Sequence, residues 1–202
     1  MTALPTTGQC LALLASLDAP PHLLRHTLLT ARAGDALARL CGADHELVVR
    51  AALLHDIGKA PGMDGTLGAR LGRPAAELAN LDHGWLGAAL LRSLGSPFAS
   101  CATAVELHPV GSVLTGQGPE SLEEQAVYLA DKMVGLTWLG LGKRLADLRR
   151  RYGHLFDIRL CEAGATNILW QVARAAALSP EDLEVLVAQA CAGSVGTIVA
   201  TW

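Results

Sequence analysis

Six metal-ligand-type side chains sit on five segments of this chain at intervals that suit helices packed side by side. His26, His55, His83, His108 and Asp131 follow one another at separations of 29, 28, 25 and 23 residues, and Asp56 adjoins His55. Each interval has room for one helix and one connection, since a helix advances only about 1.5 Å per residue. Imidazoles and carboxylates delivered from several helices to one point are the donor set of a divalent-metal site.

The rest of the chain agrees with a helical scaffold. It is 51% hydrophobic and 4% aromatic, rich in Ala and Leu, and without the closely spaced Val, Ile and Thr runs of strands. Its 202 residues suffice for one well-buried unit, and no polar linker divides them. The expected fold is all-α, a single-domain helical bundle with the metal site between helices. The expected division is an N-terminal helical segment over 1–22, a metal-binding core over 23–137 and a C-terminal helical extension over 138–202 packed on that core.

A formal charge of −3 gives no electrostatic reason to expect a nucleic acid as partner. The apolar stretch from Cys10 to Leu17 precedes the first positive side chain, Arg25, so it does not read as a secretory signal. Residues 185–202 include Gln189, Ser194, two glycines and Thr197, which suits a packed terminal helix and tail better than a membrane span. The expectation is a cytoplasmic protein with no membrane partner, for which a homodimer is allowed. Five cysteines, Cys10, Cys41, Cys101, Cys161 and Cys191, are odd in number, far apart and without a C-x-x-C pair, so buried reduced thiols are expected.

Local signals place the six ligands. A helix over 23–41 closes at Gly42, and His26 shares its inward stripe with Ala33, Leu37 and Leu40. Asp44 caps a helix expected to run to Ile57, with Val48, Ala52 and His55 on one stripe and Asp56 about a third of a turn away. Residues 58–80, with five glycines and two prolines, read as a loop holding one short helix over 75–81. Asp82 caps a helix that carries His83 in its first turn and ends at Gly95; a further helix over 98–108 aligns Cys101, Val105 and His108 before Pro109. The capping box Ser121-x-x-Glu124 opens a helix with Val127, Asp131 and Val134 on one stripe, where an unpaired carboxylate would be costly. Beyond Gly140 come the basic helix GKRLADLRRRY, a helix over 165–177, and one begun by Ser179-Pro180-Glu181.

His26, the pair His55-Asp56 in AALLHDIGK and Asp131 in LADKM together resemble the HD superfamily of metal-dependent phosphohydrolases, in its bacterial form, over residues 23–134. The resemblance implies a helical domain in which these four side chains hold one divalent ion. His83 in LDHGWLGAALL and His108 in VELHP match positions that ligate a second ion in the two-metal branches, with Asp56 bridging. It also implies an enzyme that cleaves a phosphoester or phosphoanhydride with a metal-activated water. The nearest defined branch hydrolyses diadenosine tetraphosphate symmetrically, but HPVGSV after His108 and the longer tail depart from it. The GYP tripeptide of the cyclic-dinucleotide branch is missing.

One or two ions of iron, manganese, zinc or cobalt suit this mixed donor set, whereas magnesium alone prefers oxygen. Two such ions about 3.5–4 Å apart can activate water and neutralise a phosphoryl group. Asp56 and Lys59 are therefore the candidate catalytic residues, Lys59 as an ammonium at the helix end able to meet phosphate. The expected partner is a small phosphorylated substrate, a nucleotide or dinucleoside polyphosphate. Two alternatives remain open, a nucleotide-sensing module with little turnover and a di-iron oxygenase. His22, His45 and His154 fall outside the pattern, Lys132 is expected to face away from Asp131, and Arg149 to Arg151 read as a solvated face. Arg70, Arg73 and Arg92 are weaker substrate-binding candidates, and Gly140-x-Gly-Lys143 lacks the spacing of a phosphate loop.

Overall fold

In the computed structural model, residues 3–114, 116, 118–154 and 157–192 are described. Among them are eleven α-helices and no strand, beyond a lone bridge between Val134 and Trp138. These helices are α1 Thr7–Ser16, α2 Pro21–Cys41, α3 His45–Leu54, α4 Met63–Leu71, α5 Ala75–Leu78, α6 His83–Leu94, α7 Ala102–Leu107, α8 Leu122–Met133, α9 Leu141–Tyr152, α10 Ile158–Ala175 and α11 Pro180–Cys191. The all-α expectation holds.

The centre is a three-way packing of α2, α3 and α8, with α6 and α7 beside it and α9 to α11 against α2 and α8. Small residues let these helices approach: Ala31, Ala33, Ala51, Ala52, Ala126 and Ala130 are fully buried there, and Tyr128 fills the remaining space. Expected caps stand where the sequence placed them. Gly42 ends α2 with a left-handed φ of 77°, Asp44 and Asp82 accept backbone N–H bonds at the starts of α3 and α6, and Ser121 with Glu124 forms a complete capping box on α8. All five cysteines are free and buried.

Several boundaries differ from the sequence expectation, each for a local reason. Helix α3 stops at Leu54, so His55 and Asp56 lie at its end and not within it. The His55 ring turns back onto the Ala52 carbonyl (Nδ1 to O 2.7 Å), and Asp56 adopts φ −97°, ψ 13° before a 3₁₀ turn over Ile57–Lys59. The presumed loop after Gly58 contains α4, because Met63 and Leu67 are both buried one turn apart and outweigh the local glycines. The segment ending at His108 is a 3₁₀ turn, Phe98–Cys101, followed by the short α7. Helix α10 begins seven residues before the expected 165, where Asp157 accepts from the Arg159 N–H and Ile158, Cys161 and Ala165 supply a buried stripe. The tail expected from 193 onward lies outside the described residues.

One glycine decides where two ligands meet. A Cβ at Gly58 would stand 2.0 Å from the His83 carbonyl oxygen, so only glycine lets the turn after Asp56 lie against the start of α6. Gly58→Ala is expected to lower the melting temperature by about 5 °C, the scale of an overpacking cost in a chain of this size, and to reduce bound metal by pushing His83 away. Calorimetry with metal analysis checks this; unchanged values in both would mean that the contact does not position His83.

Candidate metal centre

Six side chains from five helices and their ends converge. His26 comes from the first turns of α2, His55 and Asp56 follow α3, His83 opens α6, His108 caps α7 and Asp131 lies in the last turn of α8. His55, Asp56, His108 and Asp131 are buried, while His26 and His83 keep partial exposure. The cluster has two halves. In one, His26 Nε2 lies 3.2 Å from His55 Nε2 and 3.1 Å from Asp131 Oδ1, with His55 Nε2 3.6 Å from the same oxygen. In the other, His83 Nε2 lies 3.1 Å from His108 Nε2, and the two are 3.5 and 3.3 Å from Asp56 Oδ1. The second oxygen of Asp56, Oδ2, stands 3.7 Å from His26 Nε2 and 3.6 Å from His55 Nε2. Asp56 thus presents one oxygen to each half.

The protonation pattern tests whether these residues suit a metal. Three rings direct Nδ1 at backbone carbonyls: His26 at Gly135 (3.0 Å), His55 at Ala52 (2.7 Å) and His108 at Val105 (2.6 Å). A carbonyl only accepts, so each Nδ1 carries the hydrogen, and a neutral ring then turns a bare lone pair inward at Nε2. In that neutral state the lone pairs of His26 and His55 face each other and two carboxylates, an arrangement completed by a cation among them, whether a metal ion or a proton on His26. The residues fit divalent ions: His26, His55 and Asp131 form one group of donors, and His55, Asp56 and His108 another.

Local electrostatics keep the ligands in the required states. Burial opposes ionisation of Asp56, but the neighbouring His55 and His108 rings and the Lys59 ammonium prevail and hold its carboxyl well below the ordinary range. Burial likewise opposes Asp131, where Lys132, His26 and His55 prevail. Burial pushes His83 down to about 3, with Lys59 and His108 adding to the effect, and it lowers His108 too. His26 moves the other way: burial would lower it, but its bond to Asp131 and the two carboxylates raise it, so a proton competes with metal there.

The surroundings contain two cations that the sequence reading missed. Lys132, expected to face away, is buried and donates to Asp131 Oδ2 and, at 2.9 Å, to the His108 carbonyl. It ties the two halves together, because its long chain curls back beside its neighbour instead of following the helix periodicity. Arg144 on α9 brings Nη2 to 3.9 Å from Asp131 Oδ1. The 3–4 spacing of Leu141, Arg144, Leu145 and Leu148 was the available signal, since those leucines are the buried stripe of α9. Lys59 lies on Asp56, 2.7 Å from Oδ1, with nearly half its side chain exposed. Arg70, Arg73 and Arg92 bond to Ser93, Glu77 and Glu106 respectively. His22 and His154 are exposed, and His45 lies beside Asp35 and Arg39, all three apart from the cluster.

The family model for the HD domain matches residues 23–135, more than half of the chain and the whole of this ligand set. The chain belongs to the HD domain family. Members of this family are generally metal-dependent hydrolases that bind divalent ions. This HD domain is also 27% identical over 154 residues to the tRNA (cytidine(56)-2'-O)-methyltransferase of Picrophilus torridus, a match that takes in 71% of the chain and 40% of that protein. The chain thus spans less than half the length of that curated relative. No solved structure matches it.

Asp56→Ala is expected to lose most of the bound metal, because one carboxylate faces both halves. His83→Ala and His108→Ala should each lower occupancy by about one ion per chain while the first half stays loaded. Elemental analysis of purified variants checks both; wild-type content in Asp56→Ala, or unchanged content in the histidine variants with a large fall in melting temperature, would identify these residues as core packing.

Proposed function

We propose that this HD domain hydrolyses a phosphoester or phosphoanhydride bond of a nucleotide or dinucleoside polyphosphate. The observation that carries this reading is a cavity of about 780 Å³ that opens on the ligand cluster at His83 and Asp131 and is lined by Lys59, Lys132, Arg144 and Arg151. Its size falls within the range of small-molecule sites, about 300–1,000 Å³. Four cations against three carboxylates, Asp82, Glu106 and Asp131, beside a site suited to divalent ions favour an anionic substrate.

When bound, iron, manganese, zinc or cobalt ions supply Lewis acidity and an activated water. The protein's own groups do the positioning. Three Nδ1–H bonds to carbonyls hold the imidazoles with Nε2 inward, and Lys132 fixes Asp131. Lys59 neutralises Asp56 and is exposed enough to turn one N–H to a phosphate oxygen. Symmetrical cleavage of diadenosine tetraphosphate is the finer reading, supported by the retained His83 and His108. Methyl transfer is not carried over from the tRNA methyltransferase relative, most of whose length lies outside the match.

The test is a screen of nucleotides and dinucleoside polyphosphates on chelated protein with manganese, iron or cobalt restored, run in oxygen-18 water. Label is expected in the phosphoryl product. Lys59→Met should raise the apparent substrate constant on the order of tenfold, the loss of a charge-assisted hydrogen bond, with metal content unchanged. Tight nucleotide binding without cleavage under any metal would make the domain a sensor, and oxygen uptake by an iron-loaded sample would make it an oxygenase.

A further inference from the structure

Arg144 is enclosed in a way that its protein partners do not account for. Its side chain is only 13% exposed, although it stands on the most basic helix of the chain. Its Nη1 meets Asp147 at 3.2 Å, but that carboxylate also takes Arg150 at 2.8 Å and bonds Arg151. One carboxylate thus serves three guanidiniums, two of which stand well out in solvent while Arg144 is largely enclosed. Its other anionic neighbour, Asp131 at 3.9 Å, already holds the Lys132 ammonium and faces the metal-binding imidazoles. Among the described residues, no hydrogen-bond partner meets the buried Arg144 Nε. A largely enclosed guanidinium with an unmet donor and a shared counter-charge is poorly compensated until an anion completes it.

The place of Arg144 indicates which anion. It lines the cavity on the Asp131 side, whereas Lys59 lies on the Asp56 side. An oxyanion on the ion-binding cluster therefore has a cation on each flank, and the planar fork of arginine suits two phosphate oxygens at once. The same cavity is also lined by apolar side chains, Leu107, Pro109, Val110, Leu148 and Tyr152. Leu148 and Tyr152 come from the same helix as Arg144, one and two turns on. We infer that α9, which lies beyond the family-matched residues, completes the substrate site: Arg144 binds a substrate phosphate, and the apolar part of the cavity lining receives a nucleoside-like group. This rests on the reading of the cluster as a site for phosphorylated compounds.

Binding can be measured apart from turnover. The probes are methylenediphosphonate, which has phosphate-like charge alone, and the α,β-methylene analogue of adenosine diphosphate, titrated calorimetrically into manganese-loaded full-length protein. Arg144→Met is expected to weaken both probes tenfold or more at unchanged metal content and helical signal, and Arg144→Lys to weaken them less. Tyr152→Ala should weaken the nucleoside analogue by about fivefold and leave methylenediphosphonate unaffected. Unchanged binding in Arg144→Met, or loss of manganese from that variant or from Arg144→Lys, would overturn the proposal, the latter by making Arg144 a support for Asp131. So would a wild-type protein that binds neither probe. If the binding losses appear but no nucleotide is ever cleaved, the Arg144 site stands and the phosphohydrolase reading fails.

Discussion

The arrangement depends on one buried carboxylate. Asp56 faces His83 and His108 with one oxygen and His26 and His55 with the other, in a place largely shielded from water. An ion in such surroundings is stable only against opposite charge or donated hydrogen bonds, and the imidazoles around it offer lone pairs. Positive charge must therefore enter the cluster, and the Lys59 ammonium supplies only part of it. The helices are arranged to hold that demand open: α3 ends early so that Asp56 can turn inward, and Gly58 brings α6 against it.

Precision comes from backbone carbonyls left free by the ends of short helices. His55 and His108 each follow the last helical residue and bond back three residues to a carbonyl, which fixes the tautomer and aims Nε2. His26 uses the carbonyl of Gly135, just beyond α8, and so links two helices 109 residues apart in sequence. Lys132 adds a tie between Asp131 and the His108 carbonyl. The same termini that make each ligand accurate also join the two halves, so loss of one ligand is felt by its neighbours.

The helix α9 changes the character of the site from a metal cluster to a cavity. Its buried leucines attach it to the bundle, and that attachment carries Arg144 and Tyr152 to the rim of the ligand cluster. The six ligand-type residues lie within the family-matched segment, whereas the part of the cavity wall that α9 supplies lies beyond it.

The sequence by itself determined the helical class, most caps and the six ligand-type residues, because helix periodicity and capping are local and because His and Asp on apolar stripes are costly without a partner. It did not determine where α3 ends, that α4 exists, or that Lys132 turns toward Asp131, since the His55 ring turning onto the Ala52 carbonyl, the burial of Met63 and Leu67, and the reach of Lys132 to the His108 carbonyl are matters of packing that periodicity does not encode. Gly58 illustrates the limit: as a letter it read as a helix stop, and only the approach of His83 reveals it as a spacing requirement. Arg144 does so again. The run Arg149 to Arg151 reads as a solvated face, and only the packing of its helix on α8 shows that Arg144 on the same helix is largely enclosed, because enclosure of a long side chain is set by the neighbouring surface and not by its own segment.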